Sequence, residues 1–132
     1  MADVQIPEDL LYTEGHEWMR VEDGTATMGI TDFAQDALGE VTFVELPEAG
    51  AELSQGEEFA VVESLKAASD VYAPASGTVT AVNNLLEDEP NKVNEDPYGD
   101  GWLCKLEDVS AAELDELLSP DQYRDLLESE DA

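Results

Sequence analysis

Lys66 is the residue with the clearest chemical prospect. It stands in Val61-Val62-Glu63-Ser64-Leu65-Lys66-Ala67-Ala68-Ser69-Asp70-Val71-Tyr72-Ala73-Pro74, where two apolar strands flank a short connection. No other lysine occurs in residues 1–91. A lysine amine is a nucleophile on a flexible four-carbon stem, suited to accepting a large acyl group. At the tip of a rigid hairpin a modifying enzyme can reach it, and the attached group can swing clear of the surface. An ordinary surface lysine paired with Glu63 or Asp70 would satisfy the same spacing, so composition alone identifies no cofactor.

Other reactive constellations are sparse. His16 is the single histidine, so no multi-histidine metal site can form. Cys104 is the single cysteine, which excludes an internal disulfide and a thiolate cluster and reads as a small buried hydrophobe. No glycine-rich nucleotide loop occurs, and no serine sits in a glycine-rich elbow. With 33 acidic residues, any carboxylate pair is uninformative about hydrolytic chemistry.

The elements that must position Lys66 follow from patterning. Residues 10–20 read as two short strands or a strand and a turn. A turn at Glu22-Asp23-Gly24 leads into a strand in which Ala26, Met28 and Ile30 alternate with Thr25, Thr27 and Gly29. Thr31 caps a helix of about two turns that carries Phe33, Ala34, Ala37 and Leu38, and Gly39 ends it in left-handed geometry. Val41, Phe43 and Glu45 take one side of the next strand, and Thr42, Val44 and Leu46 the other. Residues 58–64 are apolar on both faces, as in a small sandwich.

A strand over 78–82 follows the turn at residues 73–77, where Gly77 permits a tight bend. Residues 83–101 read as loop with one helical turn after Pro90, and residues 101–106 as a last strand. Ser110 and Glu113 have capping-box spacing, and the helix after them would bury Leu114, Leu117 and Leu118. Pro120 opens a segment bearing Tyr123, Leu126 and Leu127. Short strands with frequent turns predict a mainly β, flattened sandwich with short flanking and C-terminal helices.

The 132 residues predict one domain over 10–127, containing the hairpin 58–74, with an N-terminal extension at 1–9 and a frayed tail at 128–132. Apolar types make up 42% of the chain, enough for a core without staples. Five basic residues against 33 acidic ones give a formal charge of −28. Such a skin repels itself in dilute buffer and is screened within about 3 Å in molar salt. It reads as halophilic, and raising salt should restore folding. A nucleic-acid footprint is absent, and an anionic membrane would be repelled. No basic leader or transmembrane run appears, so a cytoplasmic protein is expected. A monomer is expected too, since no long apolar helix is present.

Several long motifs carry a resemblance. They are Tyr12-Thr13-Glu14-Gly15-His16-Glu17-Trp18, Gly29-Ile30-Thr31-Asp32-Phe33-Ala34-Gln35 with Leu38-Gly39, and Val44-Glu45-Leu46-Pro47. Val62-Glu63-Ser64-Leu65-Lys66-Ala67 follows, with Pro74, Gly77, Val79 and Asn83 beyond it. Residues 94–102 and the Leu117-Leu118, Tyr123 pattern complete the set. Over roughly residues 10–127 the chain resembles the lipoyl-carrying H proteins of the glycine cleavage system. A lipoyl/biotinyl-type barrel-sandwich hybrid is implied.

By that resemblance Lys66 carries (R)-lipoic acid in amide linkage, and Glu63, Ser64, Leu65 and Ala67 are read by the lipoylating enzyme. The family shuttles the aminomethyl group of glycine and is not itself a catalyst. A pyridoxal-phosphate glycine decarboxylase subunit loads the arm. An aminomethyltransferase unloads it to tetrahydrofolate, and dihydrolipoyl dehydrogenase reoxidises it. The loaded arm folds into a surface cleft that shelters it from hydrolysis, and Glu14, His16 and Asp70 are implied to line that cleft. The residues leave His16 an alternative, packing against Trp18. Residues 94–102 read as holding a long loop to the body, with Tyr98 and Trp102 as anchors.

Two neighbouring families fit less well. Lipoyl domains of 2-oxoacid dehydrogenases have Asp before the lysine, where Leu65 stands, and biotin carriers place methionines at the positions of Leu65 and Ala67. A lipoyl relay protein would keep the modification and differ in its partners.

Overall fold

The computed structural model describes residues 5–22 and 24–131. In chain order the elements are β1 (Leu11–Tyr12), β2 (Glu17–Glu22), β3 (Thr25–Ile30), α1 (Asp32–Leu38), β4 (Val41–Glu45) and β5 (Glu52–Leu53). Then come β6 (Glu58–Ser64), β7 (Ala68–Tyr72), β8 (Gly77–Val82), α2 (Leu85–Asp88) and α3 (Lys92–Glu95). The chain closes with β9 (Cys104–Glu107), α4 (Ala111–Leu114) and α5 (Pro120–Asp131).

Two antiparallel sheets carry the fold, one ordered β1-β2-β3-β9-β8-β5 and the other β4-β6-β7. This is the expected sandwich with flanking helices. Alternating apolar residues of both sheets, among them Met28, Val62, Val79 and Leu106, meet in the main core with essentially no exposure. A second cluster of Leu10, Tyr12, Trp18, Tyr123 and Leu127 fixes α5 to β1 and β2. Tyr12 and Tyr123 stack with ring centroids 4.6 Å apart. Such a pair contributes about 0.5–1.5 kcal/mol beyond its buried area.

Local chemistry explains where the chain departs from its pattern. The β2–β3 turn includes Asp23, which lies outside the described residues, as do residues 1–4 of the N-terminal extension. The remainder of that extension is tied down: the Gln5 amide donates to Asp32 at 2.8 Å, and Tyr12 donates to the Pro7 carbonyl at 2.6 Å. In β4 a bulge between Val41 and Phe43 breaks the alternation. Val41 and Val44 therefore both face the core, and Phe43 is left 52% exposed.

The helical turn expected after Pro90 is α3, and a second short helix, α2, occupies part of the stretch read as loop; Leu86 and Val93 each reach the core. The last strand starts at Cys104, after the Leu103 amide donates to Met28. Gly77 has no positive φ; a Cβ there would stand 2.7 Å from the Glu107 carbonyl, so its need is the close approach of β9.

The C-terminal helices are punctuated differently from the expectation. Ser110 makes no side-chain cap, and α4 ends at Leu114, leaving Leu114, Leu117 and Leu118 half-buried. Glu113 instead accepts the Ser76 amide and hydroxyl at 2.7 and 2.8 Å. The reciprocal capping box belongs to Ser119 and Gln122, with Pro120 at the first helical position. Started this way, α5 runs to Asp131 and takes in residues 128–131 of the expected tail, whose last residue, 132, lies outside the described residues.

Candidate functional site

The β6–β7 hairpin presents Lys66 because β6 is gripped on both edges. Val41 to Glu45 pair with it on one side and Ala68 to Tyr72 on the other. Four residues, 64–67, make the turn. The Ser64 amide donates to the Ala67 carbonyl at 2.7 Å. The Ser64 hydroxyl oxygen accepts the Lys66 and Ala67 amides at 3.3 and 3.2 Å. A small hydroxyl residue at this place closes the turn through its own side chain. Ser64 is thus turned inward to the tip, while Leu65, 77% exposed, and the exposed Lys66 and Ala67 face outward, with Glu63 half-buried beside Phe43.

Lys66 is not held by a surface ion pair among the described residues. The ion pairs there are Arg20–Asp9, Lys92–Glu95 and Arg124–Asp121, so neither Glu63 nor Asp70 engages its ammonium. The stem lies over Gly39, with Lys66 Cε 3.7 Å from the place a Cβ on that glycine would take. Gly39 adopts φ 81° and ψ −156°, a region open essentially to glycine and different from the left-handed C-cap expected of it. The Leu65 amide donates to the Glu40 carbonyl at 3.2 Å, so the end of α1 and the hairpin tip are one unit.

Beside this unit lies a cleft of about 200 Å³. Phe33, Ala34 and Leu38 of α1 form one wall, Val62 and Ser69 of the hairpin the other. Thr31 shapes the α1 wall: its hydroxyl caps the helix by accepting the Ala34 amide at 3.3 Å. His16 and Asp70 are brought together on this cleft. Glu14 is not; it lines an adjoining recess with Tyr72, Pro74 and Glu116. The His16 ring packs on Phe33 at 4.7 Å and on the edge of Tyr123 at 5.7 Å, in place of the anticipated contact with Trp18.

Glu17 was missed. It lies at the end of the cleft and also borders the recess, and it is only 4% exposed. Burial raises its carboxyl above the ordinary value, against the pull of the Thr13 hydroxyl and the Tyr72 amide that donate to it. The signal was a charged residue directly before the buried pair Trp18 and Met19 at the head of a strand, a placement that needs a partner.

The long loop is pinned as expected. Trp18 Nε1 donates to the Pro97 carbonyl at 3.0 Å, and the Tyr98 hydroxyl accepts the Asp32 amide at 2.9 Å. Burial pushes the Tyr98 phenol up to about 12. Trp102 stays half-buried under Lys105, whose Nζ is 5.2 Å from its ring centre.

A lysine acylated by a long, mostly apolar chain fits this arrangement. Lys66 is exposed, the turn beneath it is closed by its own hydrogen bonds, and its stem lies over Gly39, which follows Leu38 of the largely apolar cleft wall. No group of three or more His, Cys, Asp or Glu able to hold a metal occurs among the described residues. No helix there is long and apolar enough to cross a membrane.

Comparison with known proteins agrees with the geometry. The family model described as glycine cleavage H-protein matches residues 10–130. A probable glycine cleavage system H protein of Haloarcula marismortui is 63% identical over 123 residues, 93% of this chain and 97% of the relative. The H protein of Carboxydothermus hydrogenoformans is 55% identical over 125 residues, 95% of this chain and 96% of its own. The crystal structure of a glycine cleavage system H protein from Mycobacterium marinum superposes with a TM-score of 0.83 at 41% identity. It covers 91% of this chain and 97% of that one.

Proposed function

Because the chain belongs to the glycine cleavage H-protein family, we propose that Lys66 is its lipoylated residue and that the cleft beside α1 receives the loaded arm. The protein is a non-catalytic shuttle that carries a lipoylated lysine between the components of the glycine cleavage system. Those components are a glycine decarboxylase, an aminomethyltransferase and a dihydrolipoyl dehydrogenase. The lipoylating enzyme is a further partner, and its reading frame is Glu63, Leu65 and Ala67 around a tip that Ser64 shapes.

When bound, the lipoyl group would supply a reducible disulfide, one sulfur of which would carry the aminomethyl group. The chain supplies presentation. Its hairpin holds Nζ outward so that three active sites meet the same tether in turn, which replaces free diffusion by a local concentration. Phe33, Ala34, Leu38 and Val62 offer apolar walls that keep water from a resting arm. Asp70 at the rim and Glu17 at the end of the cleft are acceptors for a cationic amine.

The observation that carries this reading is the stem of Lys66 lying over Gly39, the residue next in the chain to Leu38 of the cleft wall. Intact mass of the protein from its native host tests it. An addition of about 188 Da localised to Lys66 is expected, and Lys66→Arg protein should lack it. The bare chain mass in cells actively cleaving glycine would overturn the assignment.

A further inference from the structure

The hydroxyl of Tyr123 sits where three parts of the molecule meet. Its ring belongs to α5 and stacks on Tyr12 of β1. The hydroxyl lies 2.9 Å from His16 Nδ1 and 2.6 Å from Thr31 Oγ1. Both neighbours build the cleft. His16 faces it and packs on Phe33, and Thr31 caps the helix that forms its wall. The two are also joined directly, since the Thr31 amide donates to the His16 carbonyl at 3.0 Å.

A buried phenol needs one polar partner, and Tyr12 meets that need with the Pro7 carbonyl alone. Tyr123 differs in that, among the described residues, its hydroxyl meets His16, which lines the cleft, and Thr31, which caps the helix forming its wall. Its single proton serves one of them while its oxygen accepts from the other, so the contacts are held as a pair. His16 has φ 70°, a backbone setting that a non-glycine residue keeps only when its surroundings over-determine it.

We propose that Tyr123 is a positioning residue of the cleft: through its hydroxyl, the C-terminal helix fixes the His16 ring and the cap of α1, and so governs how well a loaded arm is sheltered. The inference rests on the cleft reading given above for that arm. α5 thereby acts on a group that it does not touch.

Tyr123→Phe removes the hydroxyl and keeps the Tyr12 stack. Because His16 is the single histidine, its imidazole nitrogens give one unambiguous set of ¹⁵N signals, readable on unlipoylated protein. In the variant these signals should shift or broaden, with lipoylation at the wild-type rate. Hydrolysis of the methylamine-loaded arm consumes one water and yields formaldehyde, ammonia and free thiol. Formaldehyde release should be faster in the variant by about fivefold, the scale of one net hydrogen bond.

A Tyr123→Phe/His16→Gln double variant should release no faster than His16→Gln alone, because the hydroxyl acts through the ring. Superimposable imidazole spectra, or unchanged release from a wild type that is itself protected, would overturn the proposal. If wild-type protein releases formaldehyde as fast as loaded free dihydrolipoamide, the sheltering reading fails instead, and the imidazole spectra decide on Tyr123. Should Tyr123→Phe not fold, His16→Gln must leave the helix in place yet speed release; a wild-type rate there would sink the idea.

Discussion

Asn94 holds the backbone of Gly39, the residue on which the Lys66 stem rests. Its amide donates to the Gly39 carbonyl at 2.7 Å and to Gln35 Oε1 at 3.0 Å, and its oxygen accepts the Val41 amide at 2.8 Å. The α1–β4 junction has no regular ladder to occupy these groups, so one side chain from α3 serves both ends of it. A loop read as merely packed against the body is thus a strut beneath the lysine.

Asn94→Ala leaves the Val41 amide and the Gly39 carbonyl without partners. Each orphaned group costs about 1–3 kcal/mol. The denaturant midpoint should fall accordingly, and lipoylation should slow, because the tip is tied through Glu40 to this junction. Asn94→Asp keeps the acceptor for Val41 and should lie between the two. A midpoint within error of wild type for Asn94→Ala would show that water replaces the strut.

Glu17 should leave a pH signature. Its folded carboxyl is raised above 4.5 by burial, so the folded state takes up its proton before the unfolded chain does. Stability is then lost as pH rises through the window that begins at 4.5, and the cost is fully present above the raised value. Glutamine has no charge to bury, and it can accept from Tyr72 and donate to Thr13. The Glu17→Gln protein should exceed wild type in stability at neutral pH, and the difference should shrink on acidification through that window. Denaturant melts of both proteins across pH check this, and parallel curves would refute it.

How much of this was legible depended on whether the cause was local. The Thr31 cap, the hairpin around Lys66 and the buried alternation of β3 are written in neighbouring residues, and the structure reproduces each. The bulge that turns Phe43 outward is invisible in the alternation it breaks, since it is set by pairing with β6. The capping box was placed at Ser110 and Glu113 because the spacing fits. Glu113 is drawn away by the amide of Ser76, which is distant in sequence, and the working box at Ser119 uses Gln122. Of the three residues that the resemblance implies for an arm cleft, His16 and Asp70 border the cleft beside α1 and Glu14 the adjoining recess, while Glu17 borders both. Sequence does not say which of two nearby acids points inward.

Cys104 offers a direct reading of what the charge does to the fold. Burial pushes its thiol up to about 12, so the native form holds almost no thiolate at mildly alkaline pH. An unfolded thiol has a pKa of about 8.5 and reacts readily. With a formal charge of −28, the compact state should be held open by self-repulsion in dilute buffer, and salt should close it by screening. Labelling by an uncharged disulfide reagent, which the acidic surface does not repel, should therefore be fast at low salt and fall steeply towards molar salt. Circular dichroism should rise over the same range. Slow labelling at every salt concentration, with a flat dichroism signal, would mean that the core outweighs the repulsion and that the acidic skin serves solubility alone.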